Sequence, residues 1–298
     1  MTTSMINNMM AIKGRLIGKH QPPFIIAELS GNHQQSYDLA IRMIDAAAEA
    51  GVDAIKLQTY TADSMTLDLS HNEFVINESN SLWKGESLHH LYQKAATPYE
   101  WHDGLFKHAQ RLGLIAFSSP FDEAAVNFLE TLDVPCYKVA SFENNDLPLI
   151  RQIAKTGKPM IISTGMADEE EIGEAISVAR DNGCRELVVL HCVSGYPAPA
   201  ADYNLRTIPN LAGQFGVLAG LSDHTIENAT SVAAVALGAC VIEKHVTLDR
   251  NGGGPDDSFS LEPSELEQLC RDAKTAWKAL GHVNYEQKES EKANVKFR

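Results

Sequence analysis

Eight short, continuous apolar runs recur along the chain, separated mostly by longer segments of helical periodicity. The runs are residues 24–27, 54–57, 114–117, 136–140, 160–162, 187–190, 217–221 and 240–242. Continuous rather than alternating hydrophobicity marks strands buried on both faces, as in parallel sheets. Helical patterns cover 37–50, 98–111, 122–132, 147–155, 169–182 and 227–237, with one more at 263–280 after the last run. Gly51, Gly113, Gly157, Gly183 and Gly238 fall just past helix ends, where a left-handed cap is wanted. This α/β rhythm predicts a (β/α)8 TIM barrel over residues 23–281. A doubly wound open sheet is the alternative, and it needs a reversal of strand order that a sequence does not display. Residues 1–22 precede the rhythm as an N-terminal extension. The stretch 195–215 is less regular, and 60–97 is a long polar insertion carrying Trp83 and Tyr92, the kind of loop that usually covers a substrate. Residues 282–298 turn polar and charged and read as a linker.

A chain that is 44% hydrophobic and 21% charged is ordinary for a globular domain, so a single large barrel can bury its core. The formal net charge of −14 argues against nucleic acid or an anionic membrane as partner. An anionic substrate would need a local cluster of lysine or arginine. Five scattered cysteines, without a CxxC pair, suggest a reducing cytoplasm and no structural zinc. The first twenty residues lack the apolar core of a signal peptide, and no stretch approaches the ~20 apolar residues that span a bilayer. A soluble, cytoplasmic protein is expected.

In such a barrel the site forms where strands end. Those ends carry Glu28, Asn32 and His33; Lys56 and Gln58; Ser118 and Ser119; Lys138, Ser141 and Glu143; Ser163 and Thr164; His191 and Ser194; Ser222, Asp223 and His224; Glu243 and His245. His224 and His245, at equivalent positions on the last two strands, form a candidate open metal site. Alone, either would read as a hydrogen-bonded core histidine. Asp223 and Glu243 are candidate orienters of the two imidazoles, and His191 is assigned to the wall. Lys56 and Lys138, with the hydroxyls of Ser118, Ser119, Ser141 and Ser222, describe a pocket for phosphate or carboxylate. A Schiff-base lysine is the competing reading. Glu28, before a glycine turn, is a candidate general base. Asp256, in the glycine-rich loop 252–257, is placed to hold sugar hydroxyls.

These residues resemble the sialic acid synthase family, enzymes that condense phosphoenolpyruvate with an N-acetylated aldose. The resemblance runs from about residue 24 to 263 through Ala27-Glu28, Asn32-His33, Lys56-Leu-Gln58-Thr59, Ser118-Ser-Pro-Phe121, Tyr137-Lys138, Ser163-Thr-Gly-Met166, Gly220-Leu-Ser-Asp-His-Thr225, Glu243-Lys-His245 and Gly254-Pro-Asp256. It implies Glu28 as acid/base and His224 and His245 as ligands of a divalent metal, usually manganese. It places phosphoenolpyruvate on Lys56, Ser119, Lys138, Ser141 and Ser222, and the sugar on Tyr196 and Asp256. Gln58, Glu143 and Ser194 complete the candidate substrate contacts. The variants Glu28-Leu-Ser-Gly-Asn-His33, Trp83-Lys-Gly85 and Ser194-Gly-Tyr196-Pro197 are similar to the pseudaminic acid branch, whose sugar is a 2,4-diacetamido-2,4,6-trideoxyhexose; the neuraminate and legionaminate branches are the alternatives. From other classes, a metal-dependent sugar aldolase and a non-catalytic sugar-binding barrel stay open. Family members generally continue into a small antifreeze-like domain that swaps over the partner's site, so 282–298 is expected to be the linker to a domain this chain lacks, and a homodimer is expected at full length.

Overall fold

The computed structural model describes residues 9–77 and 83–298. Its described part opens with an antiparallel hairpin, β1 (Met9–Ile12) and β2 (Arg15–Gly18), turned by Lys13 and Gly14. The eight apolar runs then become β3 (Phe24–Glu28), β4 (Ala54–Thr59), β5 (Ile115–Pro120), β6 (Tyr137–Val139), β7 (Met160–Ser163), β8 (Leu187–Cys192), β9 (Leu218–Asp223) and β10 (Val241–His245). They pair in parallel and in chain order, and β10 closes back onto β3. Sequential closure rules out the doubly wound sheet.

Among the described residues, ten helices accompany the strands: α1 (Tyr37–Ala50), α2 (Ala62–Met65), α3 (Leu88–Ala95), α4 (Tyr99–Arg111), α5 (Glu123–Thr131), α6 (Leu147–Lys155), α7 (Glu169–Asp181), α8 (Thr207–Phe215), α9 (Ala229–Ala236) and α10 (Pro263–Leu280). Their boundaries follow local chemistry. In α1 the Ser36 side chain accepts from the Leu39 amide, Ala40, Met43, Ile44 and Ala47 form the buried stripe, and Gly51 ends the helix at φ 82°. Asp168 and Glu171 close a reciprocal capping box on α7. Helix α8 breaks the periodic pattern with Pro209 and Gly213, which is why the sequence reads there as irregular.

Two cores explain the continuous runs. Neighbouring strand residues go to opposite faces: Ile26 joins Phe24, Phe117, Ile161, Leu190 and Val241 inside the barrel, whereas Ile25 joins Leu57, Val189, Leu221 and Ile242 beneath the helices. Met10, Ile12 and Ile17 of the hairpin join the interior cluster. The extension, as far as residues 9–18 go, is therefore a plug in the amino-terminal mouth of the barrel; residues 1–8 lie outside the described part. Residues 78–82 of the insertion also lie outside it. The rest of the insertion carries α2 and α3, which pack on each other. Residues 282–298 are exposed throughout, as their lack of apolar period implies. Among the described residues, no helix is long and apolar enough to cross a membrane.

Candidate active site

Strand alternation decides which polar side chains reach the lumen. Those two residues beyond an interior core residue also point inward: Glu28 follows Ile26, Ser119 follows Phe117, Ser163 follows Ile161, and Glu243 then His245 follow Val241. Above the apolar interior Ser163, Glu243 and His245 border a cavity of about 310 Å³ at the carboxyl ends of the strands. Its walls include Lys56, Gln58, Lys138, Ser141, Ser163, Ser222, His224, Glu243, His245, Asp256 and Tyr196. The insertion closes one side with Tyr60, Met65, Leu91, Tyr92 and Ala95. Tyr60 meets Tyr92 and Phe121 edge to face, with centroids 5.8 and 5.3 Å away. Gly31 lets this wall approach, since a Cβ there would lie 2.8 Å from Pro255 Cγ and 2.9 Å from Ala95 Cβ.

The floor is a buried charge cluster. Lys56 Nζ lies 2.6 Å from Glu28 Oε2 and 3.1 Å from Glu243 Oε1, and Lys138 Nζ lies 3.6 Å from the same Glu243 oxygen. Burial alone would raise the Glu243 pKa, but Lys138 and Lys56 overcome it and hold the carboxyl below the usual carboxylate range. Burial lowers Lys56 to about 8, against the pull of Glu243. Two cations and two anions thus leave this floor near neutrality until an anionic ligand arrives. Burial pushes Glu143 up to about 7.

The histidines face each other across the rim, with ring centroids 5.3 Å apart. His224 Nδ1 is 2.9 Å from the Val193 carbonyl, which can only accept, so Nδ1 donates and Nε2 is the ring atom left for a metal. Burial would lower the His224 pKa, but Cys192 and this carbonyl overcome it and raise it above the ordinary imidazole value. His245 Nδ1 is buried without a hydrogen-bond partner among the described residues, and Asp256 Oδ2 stands 3.5 Å away. Burial lowers the His245 pKa, so this ring is neutral near pH 7. Tyr196 lies against His224, with centroids 4.5 Å apart, and Phe259 lies 5.1 Å from His245. An imidazole pair with a ring nitrogen of each left over suits a divalent metal of borderline character. Among the described residues no group of three or more His, Cys, Asp or Glu is arranged to hold a metal, so the imidazole pair has no third such side chain set beside it.

The remaining candidate residues sort by the face of the sheet they occupy. Glu28 and Ser119 sit below the cavity lining: Glu28 is fully buried, and Ser119 Oγ is 3.4 Å from Lys56 Nζ. Glu143 and Ser194 also stand behind the lining, and Ser194 Oγ is buried beside Gly165. Glu243 does not orient an imidazole; it anchors both lysines. Asp223 touches no imidazole directly, because it points out of the barrel, to Lys244 and Ser231. His191 is not part of the cavity wall, since its neighbour Leu190 takes the interior face and its own Nε2 meets the Tyr203 carbonyl outside. Ser118 likewise turns outward to Thr59, whose hydroxyl also meets His102 Nε2 at 2.8 Å. Asn32 and His33 knit loops together: Asn32 Oδ1 accepts from the Asp256 amide, and His33 Nε2 meets Thr97 Oγ1 at 3.0 Å. Sequence reasoning missed Ser30, whose φ of 50° is in the left-handed region and whose hydroxyl donates to Asp256. It also missed Met65 and Leu91, which carry no chemical signal of their own.

The chain matches the model of the NeuB family over residues 43–285. It is 46% identical over 258 residues to pseudaminic acid synthase of Campylobacter jejuni, covering 87% of this chain and 75% of that protein. It is 38% identical over 273 residues to N,N'-diacetyllegionaminic acid synthase of the same species, covering 91% of this chain and 81% of that protein. The crystal structure of N-acetylneuraminic acid synthetase from Leptospira borgpetersenii, in complex with citrate, superposes with a TM-score of 0.86 at 32% identity, covering 97% of this chain and 96% of that one.

Proposed function

The chain belongs to the NeuB family, and from that premise we propose that it condenses phosphoenolpyruvate with a 2,4-diacetamido-2,4,6-trideoxyhexose, giving pseudaminic acid and phosphate. The observation that carries this reading is one cavity holding two lysines and three serine hydroxyls on its floor and an imidazole pair at its rim. The first group suits a ligand with a phosphate and a carboxylate, the second a carbonyl oxygen. The higher identity to the pseudaminic acid enzyme than to the legionaminic acid enzyme favours the trideoxy sugar named, and the apolar side chains of Met65 and Leu91 favour a substrate with methyl groups.

Lys56 and Lys138, with Ser141, Ser163 and Ser222, would bind the phosphate and carboxylate of phosphoenolpyruvate and orient its third carbon toward the rim. A divalent metal on His224 and His245, manganese in this reading, would supply electrophilic activation of the open-chain aldehyde. The third carbon of phosphoenolpyruvate then bonds to the first carbon of the sugar, and water adds to the second carbon of the enol. Glu28 Oε1, which has no hydrogen-bond partner among the described residues, is the atom suited to take the proton of that water. Cleavage of the C–O bond releases phosphate and leaves the new keto acid. Tyr196 and Asp256 would hold sugar hydroxyls.

The test is phosphate release from phosphoenolpyruvate with manganese and a panel of sugars: the trideoxy altrose-configured sugar, its manno-configured isomer and N-acetylmannosamine. The first should be turned over fastest, and a chelator should abolish release. Preference for N-acetylmannosamine, or turnover without phosphoenolpyruvate, would refute the proposal. With oxygen-18 in the bridging position, the label should leave in phosphate; retention in the sugar product would refute C–O cleavage. A homodimeric assembly and a cytoplasmic setting belong to the same reading, and sedimentation tests the former.

A further inference from the structure

Each of the two rim histidines has a charged neighbour in sequence that points the other way. Asp223 precedes His224, Lys244 precedes His245, and the two are register partners between β9 and β10. Both are buried on the outer face of the sheet, with Lys244 Nζ 3.3 Å from Asp223 Oδ2. We propose that this pair is a positioning device: it fixes the two imidazoles through the backbone and so sets the affinity of the rim for a divalent metal. The proposal rests on the metal reading of His224 and His245.

The hydrogen bonds around the pair converge on the backbone of one histidine. Asp223 Oδ1 accepts from the Thr225 amide at 2.8 Å, which closes a side-chain turn with His224 at its centre. Asp223 Oδ2 accepts from the Ser231 hydroxyl at 2.6 Å and so fastens that turn to α9. Lys244 donates to the Thr225 carbonyl and, at 3.4 Å, to the Glu227 carbonyl. With Asp223, all three of its ammonium protons have acceptors on the chain segment that carries His224, while its own backbone carries His245. Two bonds hold His224 from the other side: its amide donates to Tyr203 Oη at 2.6 Å, and its carbonyl accepts from Ala198 at 3.1 Å.

A stabilising role alone explains this poorly. A buried ion pair seldom improves on two apolar side chains of the same volume, because desolvation offsets the attraction. Two apolar side chains, however, would supply no acceptor for the Thr225 amide and no donor for the two loop carbonyls. What the pair adds is a fixed turn at one ligand and a fixed link from that turn to the strand of the other. Residues that act on a metal through its ligands typically change affinity by about 10- to 100-fold when removed.

The experiment measures manganese binding by the whole folded chain, by electron paramagnetic resonance of the free ion, alongside thermal unfolding without metal. Asp223→Ala and Lys244→Met should each weaken manganese binding by about tenfold or more. Asp223→Asn keeps an oxygen acceptor for Thr225 and should stay within about threefold of the parent, although it loses the charge and some thermal stability. Should Asp223→Ala not fold, the comparison of Lys244→Met with Asp223→Asn carries the same contrast. Manganese affinity unchanged in Lys244→Met and Asp223→Ala, with only the melting temperature lowered, would overturn the positioning role. A parent chain that binds no divalent metal would overturn the metal reading and this inference together, an outcome distinct from unchanged variants.

Discussion

Glu243→Gln would test whether the cavity floor is poised for an anion. In the parent chain Glu243 Oε1 is shared by Lys56 at 3.1 Å and Lys138 at 3.6 Å, with all three side chains 5% exposed or less. Glutamine keeps the shape and an oxygen but removes the charge, leaving Glu28 as the remaining carboxylate paired with Lys56 among the described residues and the Val139 carbonyl as a hydrogen-bond acceptor of Lys138. Breaking a buried pair costs about 3–5 kcal/mol, and the retained oxygen places this change at the low end. At about 2 °C per kcal/mol for a large domain, the melting temperature should fall by about 6 °C. Phosphoenolpyruvate restores the missing negative charge, so its addition should raise the melting temperature of the variant more than that of the parent. The pH dependence has a definite sign. Burial already lowers Lys56 to about 8, and the loss of Glu243 lowers it further. Between that value and the ordinary lysine value of 10.5 the unfolded chain binds more protons, so stability rises with pH there, and the rise should begin at lower pH in the variant. Differential scanning fluorimetry from about pH 6 to 10, with and without phosphoenolpyruvate, reads all three effects. A melting temperature within about 2 °C of the parent at pH 7, with an equal ligand shift, would refute this account of the floor.

Acid should destabilise the barrel through His33 and His102, whose pKa values burial lowers from 6.5 to about 4. Their contribution is present above pH 6.5 and lost as pH falls toward 4; a shift of that size is worth about 3 kcal/mol per ring, an upper figure because the rings interact. His102→Gln should remove roughly half of the stability lost between about pH 7 and pH 4.5 in urea unfolding; an unchanged acid loss would count against these rings. Gly220→Ala would set a methyl 2.4 Å from the Val241 carbonyl and 2.6 Å from Leu190 Cδ2, so β9 could not stay beside β10. Overpacking of this kind costs about 1–3 kcal/mol or more, and a variant as stable as the parent in chemical unfolding would contradict the packing. Glu143, raised to about 7 by burial, should give the rate an ionisation near neutrality. Glu143→Gln should abolish that limb of the pH–rate profile and leave any others; persistence of the limb would assign it elsewhere.

What the sequence discloses and what it withholds divide along the face of the sheet. Period and continuity locate strands, because a strand buried on both sides has to be apolar on both, and all eight barrel strands lie where the runs predict. The same continuity hides which way a polar residue at the end of a run points. Ser118 and Ser119 look alike as letters, yet one turns to Thr59 and the other to Lys56. Counting two residues on from an interior core residue would have sorted them, and would have turned Asp223 and His191 outward as well. Other features lay beyond any such rule. The hairpin plug is two four-residue strands around Lys13-Gly14, too short for a period. The pairing of Glu243 with two lysines depends on lumen distances between strands far apart in the chain. Glu243 and Asp223 illustrate the consequence: both are acidic residues beside a rim histidine, yet one sets the charge of the floor and the other holds the turn behind the wall. The division is physical. In a closed barrel the lumen is where unlike side chains from all eight strands must balance charge, and the outer face is where each strand is tied to its own loop.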